Sequence, residues 1–336
     1  MKIGILSAGG DCPGINATIR GVGKAAITYG MDVVGILDGF SGLLFNDYLP
    51  LDERSLSGIL TLGGTILGTS REKPFKKKEG DMIADKPQLI KQNAEKMGFD
   101  CIVCIGGNGT QKTAAQLSEM GMNIIGIPKT IDNDVWGTDV TFGFDTAVNI
   151  ATEAIDRLHS TANSHKRVMV IELMGHHAGW IALYAGLAGG GDVILIPELP
   201  YNIDRVNEEL MERSRKGKPY SIVVVAEGIK TEKKNDTAGV YIAEQIEKVT
   251  KMETRVNVPG YTLRGGSPSP LDRIIATRMG TYAASLINKR DFGRMVAIHN
   301  NEMTSVPLAE VGGKTRFVPS DFFLIKQAKK IGTCFG

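Results

Sequence analysis

Two carboxylates and an amide fall within three residues in Pro128-Lys-Thr-Ile-Asp-Asn-Asp134, directly after the run Asn123–Ile127, which reads as a strand. An Asp/Asn-rich cluster in such a place can be a simple turn capped by its own side chains. Here a cation, Lys129, and two acids, Asp132 and Asp134, crowd one strand end beside Thr130. Metal-bridged phosphoryl transfer needs a carboxylate to take the nucleophile's proton, another near the magnesium, and cations on the transferring group. All three types are present in this one segment.

Two glycine-rich turns carry a second kind of chemistry. The run Lys2–Leu6 leads into Ser7-Ala-Gly-Gly-Asp-Cys-Pro-Gly-Ile-Asn16, and Cys101–Ile105 leads into Gly106-Gly-Asn-Gly-Thr110. Glycines there let the backbone turn sharply, and a following helix presents unpaired N–H groups to an anion. Such turns also serve tight packing alone, but two in one chain, both on strand–helix junctions, favour a polyphosphate ligand. The second is not a P-loop, because Gln111 stands where the glycine before the lysine is required. Downstream, Arg167, Glu227, Arg255 and Arg264 lie at strand ends or in loops; convergence on one cleft would suit a phosphorylated, hydroxyl-rich substrate. His176-His177 is expected not to share a metal, since adjacent side chains diverge on regular elements. The lysines Lys73, Lys76, Lys77 and Lys78 read as a solvated loop that could lie over a donor phosphate.

These groups need a frame. Further strands are expected at Asp32–Ile36, Val168–Leu173, Val193–Ile196, Ile222–Ala226 and Arg294–Ile298. Amphipathic helical stretches are expected at Gly14–Tyr29, Thr110–Glu119, Ala147–Ser160 and Asp204–Lys216. Runs such as Ile222-Val-Val-Val-Ala226 lack alternation, as strands buried on both faces do. Because the strand–helix pattern restarts near Val168, the fold class expected is α/β. It comprises two doubly wound, mostly parallel-sheet Rossmann-like domains with the active site in the cleft between them.

Composition limits the alternatives. The chain has 336 residues, 42% hydrophobic, enough for two domains or three. A net charge of +2 gives no reason to expect nucleic acid or an anionic membrane as partner, so anions must be held by local groups. Four cysteines make no disulfide framework, and Cys101 with Cys104 fall within one buried strand where they read as small apolar residues. The chain begins on a strand with no basic-plus-apolar leader and shows no membrane-length run, so a cytoplasmic location is expected.

In order along the chain, these segments resemble the 6-phosphofructokinase family. The resemblance rests on Ser7–Asn16, Gly63-Gly-Thr-Ile-Leu-Gly-Thr-Ser-Arg71, Gly106–Thr110, Pro128–Asp134, Ser164-His-Lys-Arg167, Glu172-Leu-Met-Gly175 and Arg264-Gly-Gly-Ser-Pro-Ser-Pro-Leu-Asp-Arg273. It implies transfer of the γ-phosphoryl group of ATP to the 1-hydroxyl of fructose 6-phosphate with Mg²⁺. By position, Asp132 resembles the general base, with Thr130 and Asp134 beside it. Arg167, Met174, Gly175, His176, Glu227, Arg255, Tyr261 and Arg264 match the sugar-phosphate binders. Gly10, Arg71, Gly107, Asn108, Gly109, Thr110 and Lys129 match the donor site, and Asn108 with Asp134 the metal positions. The resemblance also implies a homotetramer or homodimer with shared active sites, Arg167 and Arg255 reaching over from a neighbouring subunit. Its domain boundaries imply a donor domain of 1–143 plus 263–313 and a sugar-phosphate domain of 144–262 plus 314–336.

Departures from the family pattern bear on the donor. Asn108 stands where many relatives carry a metal-holding Asp, which removes a charge. Lys129 and Tyr261 resemble the pyrophosphate-using and mixed branches. Gly109 resembles the ATP users, whose small residue leaves room for the nucleotide, and the expectation is therefore ATP. A pyrophosphate-dependent or dual-donor enzyme is the alternative, and a non-catalytic nucleotide-binding subunit a remote one. Arg20, Lys24, Lys216 and Lys218 fall where bacterial relatives hold an allosteric effector, but two further basic positions are Glu53 and His159, so altered or absent allostery is expected.

Overall fold

The computed structural model describes residues 1–76, 83–232 and 237–336. Lys77 and Lys78 of the lysine run lie outside the described residues. The chain divides into two compact units. The first comprises Met1–Thr130, Val135–Asp145 and Arg264–Thr315; the second comprises Ile131–Asp134, Thr146–Leu263 and Arg316–Gly336. In chain order the strands among the described residues are β1 Lys2–Ala8, β2 Asp32–Ile36, β3 Tyr48–Pro50, β4 Cys101–Gly106, β5 Ile124–Pro128, β6 Val168–Leu173, β7 Val193–Leu195, β8 Ser221–Ala226, β9 Thr254–Asn257, β10 Arg294–His299 and β11 Glu302–Pro307.

The first unit holds a seven-stranded sheet in the order β11-β10-β5-β4-β1-β2-β3. Its five inner strands run parallel, while β3 and β11 close the two edges antiparallel. β4 and β5 are buried along their whole length, as helices on both faces demand. Chain order reverses between β1 and β4, the position where doubly wound sheets open a crevice for a ligand. Register then decides what meets there. Ala8 pairs with Gly106, and Gly106 with Pro128, so the turns that follow β1, β4 and β5 emerge side by side at one sheet edge.

The second unit carries a four-stranded parallel sheet in the order β7-β8-β6-β9. Leu173 pairs with Ala226, which sets the turn after β6 beside Glu227. Helices flank this sheet at Phe144–His165, Trp180–Ala188, Ile203–Arg215 and Ala238–Thr250. Every strand expected from sequence is present. β3 and β9 escaped notice because they have three and four residues. β11 escaped because a polar edge strand, Glu302-Met-Thr-Ser-Val-Pro307, lacks the apolar run of its inner neighbours.

All four cysteines are unbridged and buried. Burial pushes the Cys12 and Cys104 thiols up to about 12, far from any thiolate role. No helix among the described residues is long and apolar enough to cross a membrane.

Candidate active site

In the first unit the β1 turn is tied down from several sides. Gly9 N–H donates to Ser70 O at 2.9 Å and Thr69 Oγ1 donates to Gly9 O at 2.8 Å, joining the turn to the segment that ends in Arg71. Lys129 Nζ donates to Gly10 O, and Arg264 Nη1 to Asp11 O at 3.2 Å. A Cβ at Gly10 would stand 2.9 Å from Arg264 Nη1, so a side chain there would make the guanidinium shift from this backbone. Thr110 Oγ1 donates to Ala8 O at 3.2 Å, linking the β1 and β4 turns. Arg264, matched by resemblance to a sugar-phosphate binder, is thus found on the glycine turn of the donor residues.

The β4 turn opens the helix Asn108–Glu119, whose N-cap Gly107 offers no side-chain oxygen to the first-turn N–H groups. These donors, with the positive end of the helix dipole, form a concave cationic surface suited to phosphate. A Cβ at Gly109 would meet nothing within 4 Å, so space beyond the turn is open. Lys129 and Thr130 are buried next to this turn: Lys129 N–H donates to Gly106 O at 3.0 Å, and Thr130 O accepts from Thr141 Oγ1 at 2.8 Å.

In the second unit, Asp132, Asn133 and Asp134 are each buried. Asn133 takes φ +53°, a left-handed kink that an Asn tolerates and that sharpens the turn between the two acids. Across the sheet end, Glu227 Oε1 accepts Gly175 N–H at 3.3 Å and His176 N–H at 2.7 Å. This anchoring requires the tight turn at Gly175, whose φ of 151° and 2.4 Å Cβ approach to Ala178 O exclude a side chain. Met174 leads into the turn. Glu172 Oε2 accepts Gly239 N–H at 2.7 Å at the start of the helix Ala238–Thr250. Glu172, His176, His177, Glu227, Thr231 and Thr237 are among the residues that line a cavity of about 420 Å³. Among the described residues its lining offers carboxylates, imidazoles and hydroxyls, groups that can bond sugar hydroxyls.

The adjacent histidines do not diverge as expected. Their ring centroids lie 3.8 Å apart with the planes tilted by 48°, because His176 is left-handed (φ +53°) and the segment is a turn, not a regular element. No cluster of three or more His, Cys, Asp or Glu side chains suited to a metal occurs among the described residues. Asn108 and Asp134 belong to different units.

Burial pushes the Glu227 carboxyl up, and the charge of Asp132 adds to it, while the N–H bonds from His176 and Gly175 pull it back. A folded-state pKa raised above the usual 4.5 means that the Glu227 contribution to stability is fully present below that value. It is lost as pH rises through the folded-state pKa. Glu227→Gln is therefore expected to raise the Tm relative to wild type at pH 7, with the gain shrinking as pH falls toward 4.5. Thermal unfolding followed across that range checks this; a constant difference would contradict it.

Within one chain, Arg167 and Arg255 lie away from Glu227. Arg167 Nε pairs with Glu253 Oε2 at 2.7 Å, and Arg255 pairs with the same carboxylate. Both sit where β6 and β9 begin, Met169 pairing with Arg255, whereas Glu227 follows the end of β8. Six residues of strand separate those ends, about 20 Å at the usual rise. Tyr261 is exposed in the short helical turn Gly260–Arg264. Of the effector-type residues, Lys216 pairs with Glu212, and His159 bonds inward to Tyr220 Oη (3.0 Å) and Gly189 O (2.6 Å). Glu198 and Arg316 went unnoticed in the sequence, since an isolated Glu or Arg outside any motif carries no spacing signal.

A doubly wound α/β frame with paired glycine turns at its switch point defines an anion-binding protein of the nucleotide- and phosphate-handling type. The chain belongs to the phosphofructokinase family, which it matches over residues 2–287. It is 62% identical to the ATP-dependent 6-phosphofructokinase 3 of Bacteroides thetaiotaomicron, over 100% of both chains. It is 44% identical, again over 100% of both, to the pyrophosphate–fructose 6-phosphate 1-phosphotransferase of Streptomyces coelicolor. Among solved structures, the phosphofructokinase of Saccharomyces cerevisiae superposes with a TM-score of 0.82 at 30% identity, covering 92% of this chain and 45% of that one.

Proposed function

We propose that this protein is an ATP-dependent 6-phosphofructokinase of glycolysis. It transfers the γ-phosphoryl group of ATP to the 1-hydroxyl of fructose 6-phosphate, giving fructose 1,6-bisphosphate. The observation that carries the reading is the register Ala8–Gly106–Pro128, which brings both glycine turns and the opening of the acidic segment, Lys129-Thr130, side by side at the ends of three strands in a phosphofructokinase-family chain. A domain of 1–143 plus 263–313 holds the donor, and a domain of 144–262 plus 314–336 holds the sugar phosphate.

In this reaction the turn Gly107–Thr110, Gly10, Arg71 and Lys129 bind the donor phosphates and stabilise charge as it spreads over the transferring group. Asp132 accepts the proton of the 1-hydroxyl, and Thr130 orients that hydroxyl. Met174, Gly175, His176, Glu227 and Tyr261 hold the sugar, with Arg264 on its phosphate. Asp134, with a carboxylate, and Asn108, with an amide oxygen, are the residues that would hold magnesium, both being oxygen donors of the kind this ion takes. Bound there, it supplies neutralisation of phosphate charge. Arg167 and Arg255, at the sheet end remote from Glu227 in their own chain, serve the site of a neighbouring subunit, so the enzyme works as a homodimer or homotetramer in the cytoplasm.

Open space at Gly109 favours a nucleotide over a bare pyrophosphate. The second reading, a pyrophosphate or dual-donor enzyme, draws on Lys129, a buried cation lying on the donor turn. Initial rates with fructose 6-phosphate and each donor in turn separate the two.

A further inference from the structure

The acidic turn Ile131–Asp134 is a bent loop with a left-handed residue at its centre, a conformation that the surroundings must enforce. Arg316, 183 positions from Asn133 in sequence, contributes to that enforcement. Arg316 Nη1 donates to Asn133 O at 3.0 Å, and the backbone N–H of Arg316 donates to Asp134 O at 2.8 Å. Two successive carbonyls of the turn are thereby bonded to a single residue.

Arg316 is itself fixed. Its guanidinium carbon stands 4.0 Å from the ring centroid of Trp180, and Trp180 Nε1 donates to Arg316 O at 3.1 Å. Trp180 is 1% exposed and packs edge-on against Phe322, with ring centroids 5.2 Å apart. It opens the helix Trp180–Ala188 directly after the turn Met174–Gly179. Glu198 completes the frame: its carboxylate accepts Gly179 N–H at 2.9 and 3.1 Å and, through Oε1, Val318 N–H at 3.0 Å. The acidic turn, the sugar-side turn and the segment Arg316–Val318 therefore form one hydrogen-bonded assembly within the second unit.

We propose that Arg316 is a positioning residue for phosphoryl transfer. It holds the backbone that carries Asp132 and Asp134 and touches neither substrate. The proposal rests on the reading of Asp132 as general base. A planar guanidinium suits the task because it can stack on the indole and donate in its own plane at once, which an ammonium does not do.

The test uses Arg316→Ala, Arg316→Gln and Arg316→Lys in the full-length enzyme, beside Asp132→Asn. Displacing the acids by about 1 Å is expected to lower kcat ~10–10²-fold in Arg316→Ala and Arg316→Gln. KM for fructose 6-phosphate and for ATP should stay within about threefold of wild type, since no substrate contact is lost. Methylguanidinium at millimolar concentration should restore kcat several-fold to Arg316→Ala and leave Asp132→Asn unchanged; Arg316→Lys should fall between wild type and Ala. A purely structural role would instead lower the Tm without changing kcat per folded site, and it would show no rescue; that result overturns the proposal. A rise in sugar-phosphate KM at constant kcat also overturns it, by making Arg316 a binder. If Arg316→Ala does not fold, the Gln and Lys variants carry the comparison. Should Asp132→Asn keep wild-type kcat, the base reading fails whatever Arg316 does. Should it lose kcat while the Arg316 variants keep theirs, only the positioning role fails.

Discussion

Asp132→Asn is expected to lower kcat at least ~10²-fold, the low end for removing a general base. The substitution is nearly isosteric, so the buried turn keeps its shape, while the neutral amide can neither take a proton nor supply the carboxylate's charge. Burial makes the effect large, because little bulk water is at hand to replace the lost acceptor. KM for both substrates should change little, since proton transfer belongs to the transition state and not to the ground-state complex. Coupled assays at saturating substrates, with thermal unfolding to confirm an unchanged fold, check the expectation. An unchanged rate would remove Asp132 from the chemistry and revive the picture of a non-catalytic nucleotide-binding subunit.

The second large effect is complementation between two inactive variants. Arg167→Ala and Glu227→Ala should each abolish turnover at ordinary fructose 6-phosphate concentrations, one by removing a phosphate partner and the other a hydroxyl partner. Within one chain the two side chains stand at opposite ends of the second sheet, with Arg167 held on Glu253. If each site borrows Arg167 from a neighbour, a hybrid of the two variants contains one site with both groups intact. Random reassembly of an equal mixture across a two-fold interface should then restore about a quarter of wild-type activity. Mixing after reversible dissociation, followed by assay, decides this. Activity that stays at the level of the separate variants would mean that each chain completes its own site.

The frame was legible from sequence because its strands are of one kind. β1, β4, β5, β6 and β8 are apolar runs buried on both faces, and nothing but an inner parallel strand reads that way. The glycine turns and the acidic segment were legible for a related reason, since each follows such a strand directly and the chemistry of α/β sheets gathers there. What sequence did not reveal depends on pairing at a distance. The close approach of the His176 and His177 rings needs a left-handed backbone that no residue type announces. That Arg167 and Arg255 share the carboxylate of Glu253 at the start of β6 and β9 depends on strand register, which no local spacing shows. Glu198 and Arg316 act through backbone groups of distant segments and so belong to no local pattern. The bond from the Arg264 guanidinium to the Asp11 carbonyl spans 253 positions of sequence and so left no local trace either.

Gly109 and Lys129 pull the donor assignment in opposite directions, and the open space over Gly109 favours the nucleotide. The most direct measurement is the initial rate with fructose 6-phosphate at matched Mg²⁺, using ATP in one series and pyrophosphate in the other. Fructose 1,6-bisphosphate should form with ATP, with little or no product from pyrophosphate. Turnover with pyrophosphate and none with ATP would contradict the account.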